Sequence, residues 1–327
     1  MDIHPALVFL VGLTVIIVGA EVLLHSASRI ASMLGIQPIV IGLTVVTVGT
    51  TMPELAVGIT AAAEGKASLA VGNIAGTNLL NILFILGLSA LIRPLPIRLQ
   101  SIRLHVPVMI SSTLALIAMG WDGLLSRTEG TLLVLAAIAY TVTLVRMSRR
   151  ETTALKQEFS EEYGPSALQP GHGAATMAWH TLQLLAGMAA ILLGAHLLVL
   201  GAGDIARSYG VSDAIIGLTI VAIGTSAPEL VTTIVATLRN DRDVAIGNLI
   251  GSSIYNILVI LGITCLSTPA GIEVEAQILH IDLPLAAAVA LVCLPVFRSD
   301  AMVSRREGAA FVAAYLVYLG TLLFMRV

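Results

Sequence analysis

Fourteen residues of this chain, Gly42 to Leu55 (G-L-T-V-V-T-V-G-T-T-M-P-E-L), set a condition that few folds can meet. They lie in a long apolar run, yet they carry two glycines, a proline and a carboxylate. The phrase returns 175 positions later as Gly217 to Leu230 (G-L-T-I-V-A-I-G-T-S-A-P-E-L), identical at 9 of 14 positions. Inside a helix, Pro53 and Pro228 cannot donate to the carbonyls of Gly49 and Gly224, and their rings push those carbonyls aside. At membrane depth, freed carbonyls are tolerated only where they line a polar cavity. An ionised carboxylate there is costly without a counter-charge and marks a functional site. Glu54 and Glu229 are therefore the main clue to function.

That the surroundings are a membrane follows from composition. Of 327 residues, 57% are hydrophobic and 11% charged, with a mean hydropathy of +0.96. Soluble domains carry about 25% charged residues. Long apolar runs with few aromatics favour helices over a barrel, whose strands would alternate at every second residue. The net charge of −3 argues against nucleic acid as a partner. Cys265 and Cys293 lie in apolar runs and read as core residues rather than a disulfide or metal pair. With Asp2 and no basic stretch at its start, the first apolar segment reads as a retained helix rather than a cleaved signal.

Ten apolar runs are long enough to cross a bilayer: about 6–27, 37–63, 68–92, 104–120, 129–147, 178–203, 212–238, 243–267, 280–297 and 307–325. The one substantial polar connector, 148–174, holds Arg149, Arg150, Lys156, Glu158, Glu161 and Glu162. It divides the chain into a first five-helix repeat, 1–147, with its motif at 42–87, and a second, 175–327, with its motif at 217–262. The 175-residue offset needs no gap from Gly12 to Gly87, and Ala70–Gly87 matches Ala245–Gly262 at 10 of 18 positions. Five is odd, so the second repeat enters the membrane from the opposite side. The expected fold is an all-α integral membrane protein of ten transmembrane helices arranged as two inverted five-helix repeats.

Charge placement agrees. The loops after helices 1, 3, 5, 7 and 9 hold 13 of the 17 Lys and Arg residues, leaving Lys66, Arg127, Arg207 and Arg326 for the other face. The positive-inside rule then puts the connector in the cytoplasm and both termini outside, in the cell (inner) membrane. Inverted repeats of this kind are a transporter signature, with the substrate site near the midplane where the repeats meet.

Beside the carboxylates stand hydroxyls: Thr50 and Thr51 in one repeat, Thr225 and Ser226 in the other. Helices 3 and 8 add Asn73, Thr77, Asn78 and Asn81, and Asn248, Ser252 and Asn256, at spacings of about one turn. Thr77 and Asn81 share a face that can point at Glu54. Gly72, Gly76, Gly247 and Gly251 would let helices approach closely. Carbonyls, hydroxyls and carboxylates are hard donors, the ligand set of Ca²⁺ and Na⁺. Two carboxylates balance one divalent or two monovalent cations. The blander readings are hydroxyls bonded back to the i−4 carbonyl and asparagines acting as interhelical glue; for Asn73, Asn78 and Asn248 the two are evenly matched, and they stay outside the candidate site. Glu21 also lies in an apolar run, but its repeat partner is His196, so symmetry fails there. His25 and His196 read as packing or interface residues.

The paired G-T-[ST]-x-P-E-L and G-N-x-x-G-[ST]-x-x-x-N motifs resemble the α-repeats of the sodium/calcium exchanger branch of the cation/Ca²⁺ exchanger superfamily, in its compact prokaryotic form. The resemblance covers nearly the whole chain. It implies four cation sites between helices 2, 3, 7 and 8, and exchange of three Na⁺ for one Ca²⁺. It makes Glu54 and Glu229 the central Ca²⁺ ligands, joined by the carbonyls of Thr50 and Thr225. Thr51, Ser226, Thr77 and Ser252, with the carbonyls of Thr47 and Ala222, would serve flanking Na⁺ sites. Asn81 and Asn256 would line the middle site, and helices 1 and 6 would slide across this core as a gate. Asn256 stands where some relatives, including potassium-dependent ones, have aspartate, which argues against potassium co-transport. Thr51 replaces the usual serine.

The alternative is a proton-coupled antiporter of the same fold, or one moving another divalent cation such as Mn²⁺ or Mg²⁺. A channel would use the same ligands without alternating access. An intramembrane protease would need a nucleophile or metal-binding histidines beside the two acids, and a pump would need an ATP-binding loop; neither motif is present in the sequence. The expectation is a transporter and not an enzyme, without a cofactor, whose partners are Ca²⁺, Na⁺ and the lipid bilayer.

Overall fold

The structure, a computed structural model, describes residues 4–34, 38–97, 101–163, 174–210, 222–299 and 301–326. Among the described residues ten helices follow one another. α1 is Pro5–Leu34. α2 comes in two pieces, Ile39–Thr50 and Met52–Ala63, and is followed by α3, Ser68–Ile92, and α4, Ile102–Asp122. α5 is Arg127–Tyr163 and α6 is Ala174–Ser208. α7 is described from its pieces Ala222–Thr225 and Ala227–Leu238. α8, Arg242–Ser267, and α9, Ile278–Arg298, precede α10, Arg305–Arg326. The first part of the segment expected at 212–238 lies outside the described residues, as do 164–173 of the connector.

Burial sorts these helices into a centre and a rim. α3 and α8 are buried over 78% and 83% of their apolar spans, against 33% for α1 and α6. Side chains of α3, α4, α5, α8, α9 and α10 form one large apolar cluster. A second, smaller cluster joins Ile16, Leu23 and Leu24 of α1 and Ile191 of α6 to Val46 of α2 and Val235 of α7. α1 and α6 therefore make a layer of their own against α2 and α7. Within it the two backbones nearly touch. A Cβ at Gly12 would meet the backbone N of Leu198 at 2.5 Å, and one at Gly194 would meet that of Ile16 at 2.5 Å. Glycine at these positions is what permits so close an approach in the absence of a hydrophobic drive between helices.

The connecting turns carry the inverted symmetry. Gly65 (φ 73°) ends α2 and Asn240 (φ 67°), 175 residues later, ends α7, both in the left-handed region. Behind each, an amide reaches back to the helix: Lys66 N to Ala61 O (2.8 Å) and Asp241 N to Ala236 O (2.9 Å). That is the helix-ending motif in which a left-handed residue satisfies the last carbonyls. The repeat then continues beyond Gly87 at an offset of 178. Gly123 (φ 84°) corresponds to Ala301 (φ 47°). Ser126–Glu129 and Ser304–Glu307 form matching capping boxes ahead of α5 and α10, with Ser126 N on Glu129 (2.6 Å) and Ser304 N on Glu307 (2.8 Å). Two short antiparallel pairings complete the pattern: Leu95–Pro96 with Met302–Val303, and Leu124–Leu125 with Ile272–Glu273. The first ties the loop after α3 to that after α9; the second ties the loop after α4 to that after α8, on the opposite face.

The polar stretch expected as a connector from 148 is helical through Tyr163. Apolarity ends where the helix leaves the membrane, while good helix formers such as Leu155, Lys156 and Glu158 let it continue in water. Cys265 and Cys293 are fully buried, as expected, and are not bonded to each other.

Candidate cation site

Each duplicated motif folds as a broken helix. α2 stops at Thr51 (φ −86°, ψ 6°), and the second piece sets off at a 43° bend. α7 stops in the same way at Ser226 (φ −91°, ψ 7°). Pro53 and Pro228 thus sit in the first turn of a new helix, where the missing N–H costs nothing. Glu54 and Glu229 follow in that same turn. There the free amides and the positive end of the helix dipole favour a negative charge. Both glutamates are nonetheless almost completely buried, at 1% and 0% exposure.

The two breaks face each other across the repeat interface. The Ser226 hydroxyl of one break donates to Glu54 Oε1 of the other at 3.4 Å. α3 and α8 bring Thr77, Asn81, Ser252 and Asn256, all buried, to the same core. Asn81 falls in a widened, π-helical turn at Leu80–Leu86, and Asn256 opens its counterpart at Asn256–Leu261. Such turns recur at functional sites because they redirect side chains and loosen backbone bonding. Close packing of α8 on α2 is secured where expected: a Cβ at Gly247 would meet Ile39 O at 2.9 Å, and one at Gly251 would meet Leu43 Cα at 3.0 Å. A Cβ at Gly72 would meet Ile278 Cδ1 of α9 at 3.1 Å, and one at Gly76 would meet no described atom within 4 Å.

Most telling is what the protein leaves unbonded. Glu54 Oε2, both carboxylate oxygens of Glu229, Oδ1 and Nδ2 of Asn81, Oδ1 of Asn256 and Oγ of Ser252 are buried with no hydrogen-bond partner among the described residues. Buried polar atoms are normally paired, and each exception needs an explanation. Seven of the twelve such atoms found among the described residues lie on four helices at residues the sequence singled out; the other five belong to Ser26, Ser68, Ser89, Thr232 and Arg242. No Lys or Arg is fully buried among the described residues, so the two carboxylates have no fixed counter-charge beside them.

The hydroxyls are more committed. Thr51 Oγ1 donates to Thr47 O at 2.9 Å, the i−4 bond weighed as the bland reading. Thr50 Oγ1 is shared between Thr47 O (3.2 Å) and Asn248 Oδ1 (3.3 Å). With Thr51 N at 3.0 Å, the carbonyl of Thr47 already accepts three bonds, so this expected ligand has no lone pair to spare in this arrangement. A hydroxyl that donates its proton keeps its own lone pairs, so Thr50 and Thr51 still present oxygens. Thr225 is half-buried, and Ala222 begins the short helical piece before the break.

Two asparagines left out of the site by sequence reasoning prove to be its struts. Asn248 accepts from Thr50 and donates Nδ2 to Thr233 Oγ1 at 3.2 Å. Asn78 donates Nδ2 to the carbonyl of Ser253, its own repeat counterpart, and accepts at Oδ1 from Asn256 Nδ2, both at 3.1 Å. With its Nδ2 so held, Asn256 keeps its Oδ1 buried and unbonded. Helical spacing announced both residues, but spacing alone does not separate a strut from a ligand. Glu21 also finds a place: it forms an ion pair with Arg239 at the end of α7, with Arg239 Nε on Glu21 Oε1 at 2.8 Å.

Comparison with known proteins gives a uniform picture. Residues 4–146 and 179–324 match the family model described as sodium/calcium exchanger protein. The chain is 32% identical to the inner membrane protein YrbG of Escherichia coli, over 97% of this chain and 96% of that one. It is 31% identical to the sodium/calcium exchanger MaX1 of Methanosarcina acetivorans, over 98% of each. Among solved structures, it superposes on the sodium-calcium exchanger NCX_Mj soaked with Na⁺ and Ca²⁺, with a TM-score of 0.83 and 27% identity, covering 98% of this chain and 99% of that one.

Proposed function

The chain belongs to the sodium/calcium exchanger family, and from that premise we propose that it is a secondary antiporter that exchanges Na⁺ for Ca²⁺ by alternating access. The observation that carries the reading is the cluster of buried, unbonded oxygens on Glu54, Asn81, Glu229, Ser252 and Asn256. These are hard donors, suited to Ca²⁺ and Na⁺ and unsuited to soft metals. Glu54 and Glu229 bind the Ca²⁺ cargo between them, and the same carboxylates hold Na⁺ on the return step. Thr50, Thr51, Thr77, Thr225, Ser226, Asn81, Ser252 and Asn256 supply the remaining oxygens, with the carbonyl of Ala222 and, only if its present bonds rearrange, that of Thr47. Two carboxylates without a fixed counter-charge cannot cross the membrane empty at low cost. That obliges the protein to return with other cations and makes it an exchanger rather than a leak.

The gate is the α1/α6 layer, sliding over α2 and α7 on its separate apolar cluster. The connector faces the cytoplasm, following the distribution of Lys and Arg. Exchange of three Na⁺ for one Ca²⁺ moves one net charge per cycle, worth roughly 2.3 kcal/mol per 100 mV. The test is radiolabelled Ca²⁺ uptake into proteoliposomes loaded with Na⁺ and carrying ionophores that set the voltage. The reading requires uptake that depends on the outward Na⁺ gradient, ignores a protonophore and accelerates when the interior is made positive. Uptake driven by a pH gradient and indifferent to Na⁺ would establish proton coupling instead.

A further inference from the structure

Away from the carboxylates, α1 and α6 form a second polar feature, a cleft open on one side. Near the C-terminal end of α1 and the N-terminal end of α6, a cavity of about 250 Å³ is lined by His25, Arg29, Ser32, Met33, Thr176 and His180. Among the described residues its lining holds one fixed positive charge, two imidazoles and two hydroxyls, and no acidic group. Arg29 forms no hydrogen bond or ion pair among the described residues. The imidazoles of His25 and His180 approach across the helix pair with ring centroids 6.4 Å apart, and His180 Nδ1 is held by Gln183 Oε1 at 3.0 Å. Thr176 and His180 line it from near the described start of the 35-residue α6.

Its depth is marked independently. Trp179, beside His180, is 57% exposed on the outer surface of α6. Tryptophans on membrane helices gather at the headgroup level, where an apolar ring meets a polar edge. The cavity is therefore a set of converging donors and positive charge at the depth of lipid phosphates, on the face that carries most of the chain's Lys and Arg.

We infer that this cavity binds a phosphate anion, carried there by an anionic phospholipid whose headgroup bridges α1 and α6. Basic pockets between transmembrane helices at the anionic leaflet have the right chemistry for such lipids. The site is distinct from the exchange site, and its test does not depend on transport.

The chain has two tryptophans, so Trp121→Phe leaves Trp179 as the sole reporter. Quenching of Trp179 is measured in liposomes containing brominated phosphatidylglycerol or brominated phosphatidylcholine, with and without millimolar inorganic phosphate. The proposal expects stronger quenching by the anionic lipid, with its preference reduced about fivefold in Arg29→Gln, the worth of one interfacial cation, and largely kept in Arg29→Lys. A preference removed by inorganic phosphate would assign the pocket to the free anion rather than the lipid. Equal quenching by both lipids, or a preference untouched in a combined Arg29→Gln and His180→Ala variant, would overturn the proposal. Size-exclusion profiles of each variant establish that the protein is folded.

Discussion

Replacing Gly194 by alanine puts the α1/α6 layer to its hardest test. The new Cβ would stand 2.5 Å from Ile16 N and 2.9 Å from both Ile16 Cα and Gly12 O, against an ordinary contact that begins at 3.4 Å. Every atom it meets is backbone, so no side chain can swing aside. The helices must part locally by about 1 Å, a gap that forfeits a quarter to a half of each dispersion contact it opens. Overpacking of this kind costs about 1–3 kcal/mol, and the reciprocal Gly12→Ala, with Leu198 N at 2.5 Å, meets the same obstacle. Both variants should lower the thermal unfolding midpoint of the purified protein in detergent by several degrees and slow Ca²⁺ exchange. Gly320→Ala is the control, since its Cβ meets no described atom within 4 Å. If Gly12→Ala and Gly194→Ala unfold at the same temperature as Gly320→Ala, the packing argument is refuted.

Three further outcomes follow from particular contacts. Ala301 holds a left-handed conformation (φ 47°) where its counterpart Gly123 has glycine, so Ala301→Gly should stabilise the protein by about 1 kcal/mol, the usual penalty of a Cβ there; an unchanged or lowered midpoint would contradict this. Asn78→Ala removes the hydrogen bond that holds the Asn256 amide, and with a buried group left unpaired, the half-saturating Ca²⁺ concentration should rise about tenfold, as one such loss predicts; an unaltered value in flux titrations would show that Asn78 positions nothing. Glu21 and Arg239 link the α1/α6 layer to α7, and with side chains 42% and 34% exposed their pair is worth no more than about 1 kcal/mol. A cycle of Glu21→Gln, Arg239→Gln and both together should show one shared effect on exchange rate, of up to about fivefold; independent, additive effects would separate the two residues.

Much of this architecture was legible because the chain states it twice. A Pro-Glu pair inside an apolar run has few structural outlets, and its repetition at a fixed offset gave the broken helices, the inverted repeats and the two buried carboxylates together. The turns were less legible. Asn240 and Ala301 take the conformation of Gly65 and Gly123, but residue identity does not report φ, so this part of the symmetry does not show in the residue types. The helical stretch through Tyr163 was hidden for a related reason: loss of apolarity marks where a helix leaves the membrane, not where its backbone bonding stops. At the site, residue type and spacing found the oxygens that remain free, but not which asparagine serves which role. Asn78 and Asn81 are chemically identical three positions apart; only the partner helix decides that one braces Asn256 and the other stays unbonded. The saturation of the Thr47 carbonyl was equally hidden, because it depends on where two neighbouring hydroxyls turn.

The central claim is that Glu54 and Glu229 together carry the transported cation. It is tested most directly by radiolabelled Ca²⁺ uptake into Na⁺-loaded proteoliposomes, with Glu54→Gln and Glu229→Gln run beside the unmodified protein. Each substitution keeps the size of the side chain and removes one of the two buried negative charges. The account predicts that either one alone abolishes Na⁺-dependent uptake while the protein remains folded and reconstituted to the same level. Uptake that survives in either variant would mean that the buried carboxylates are not the cation site.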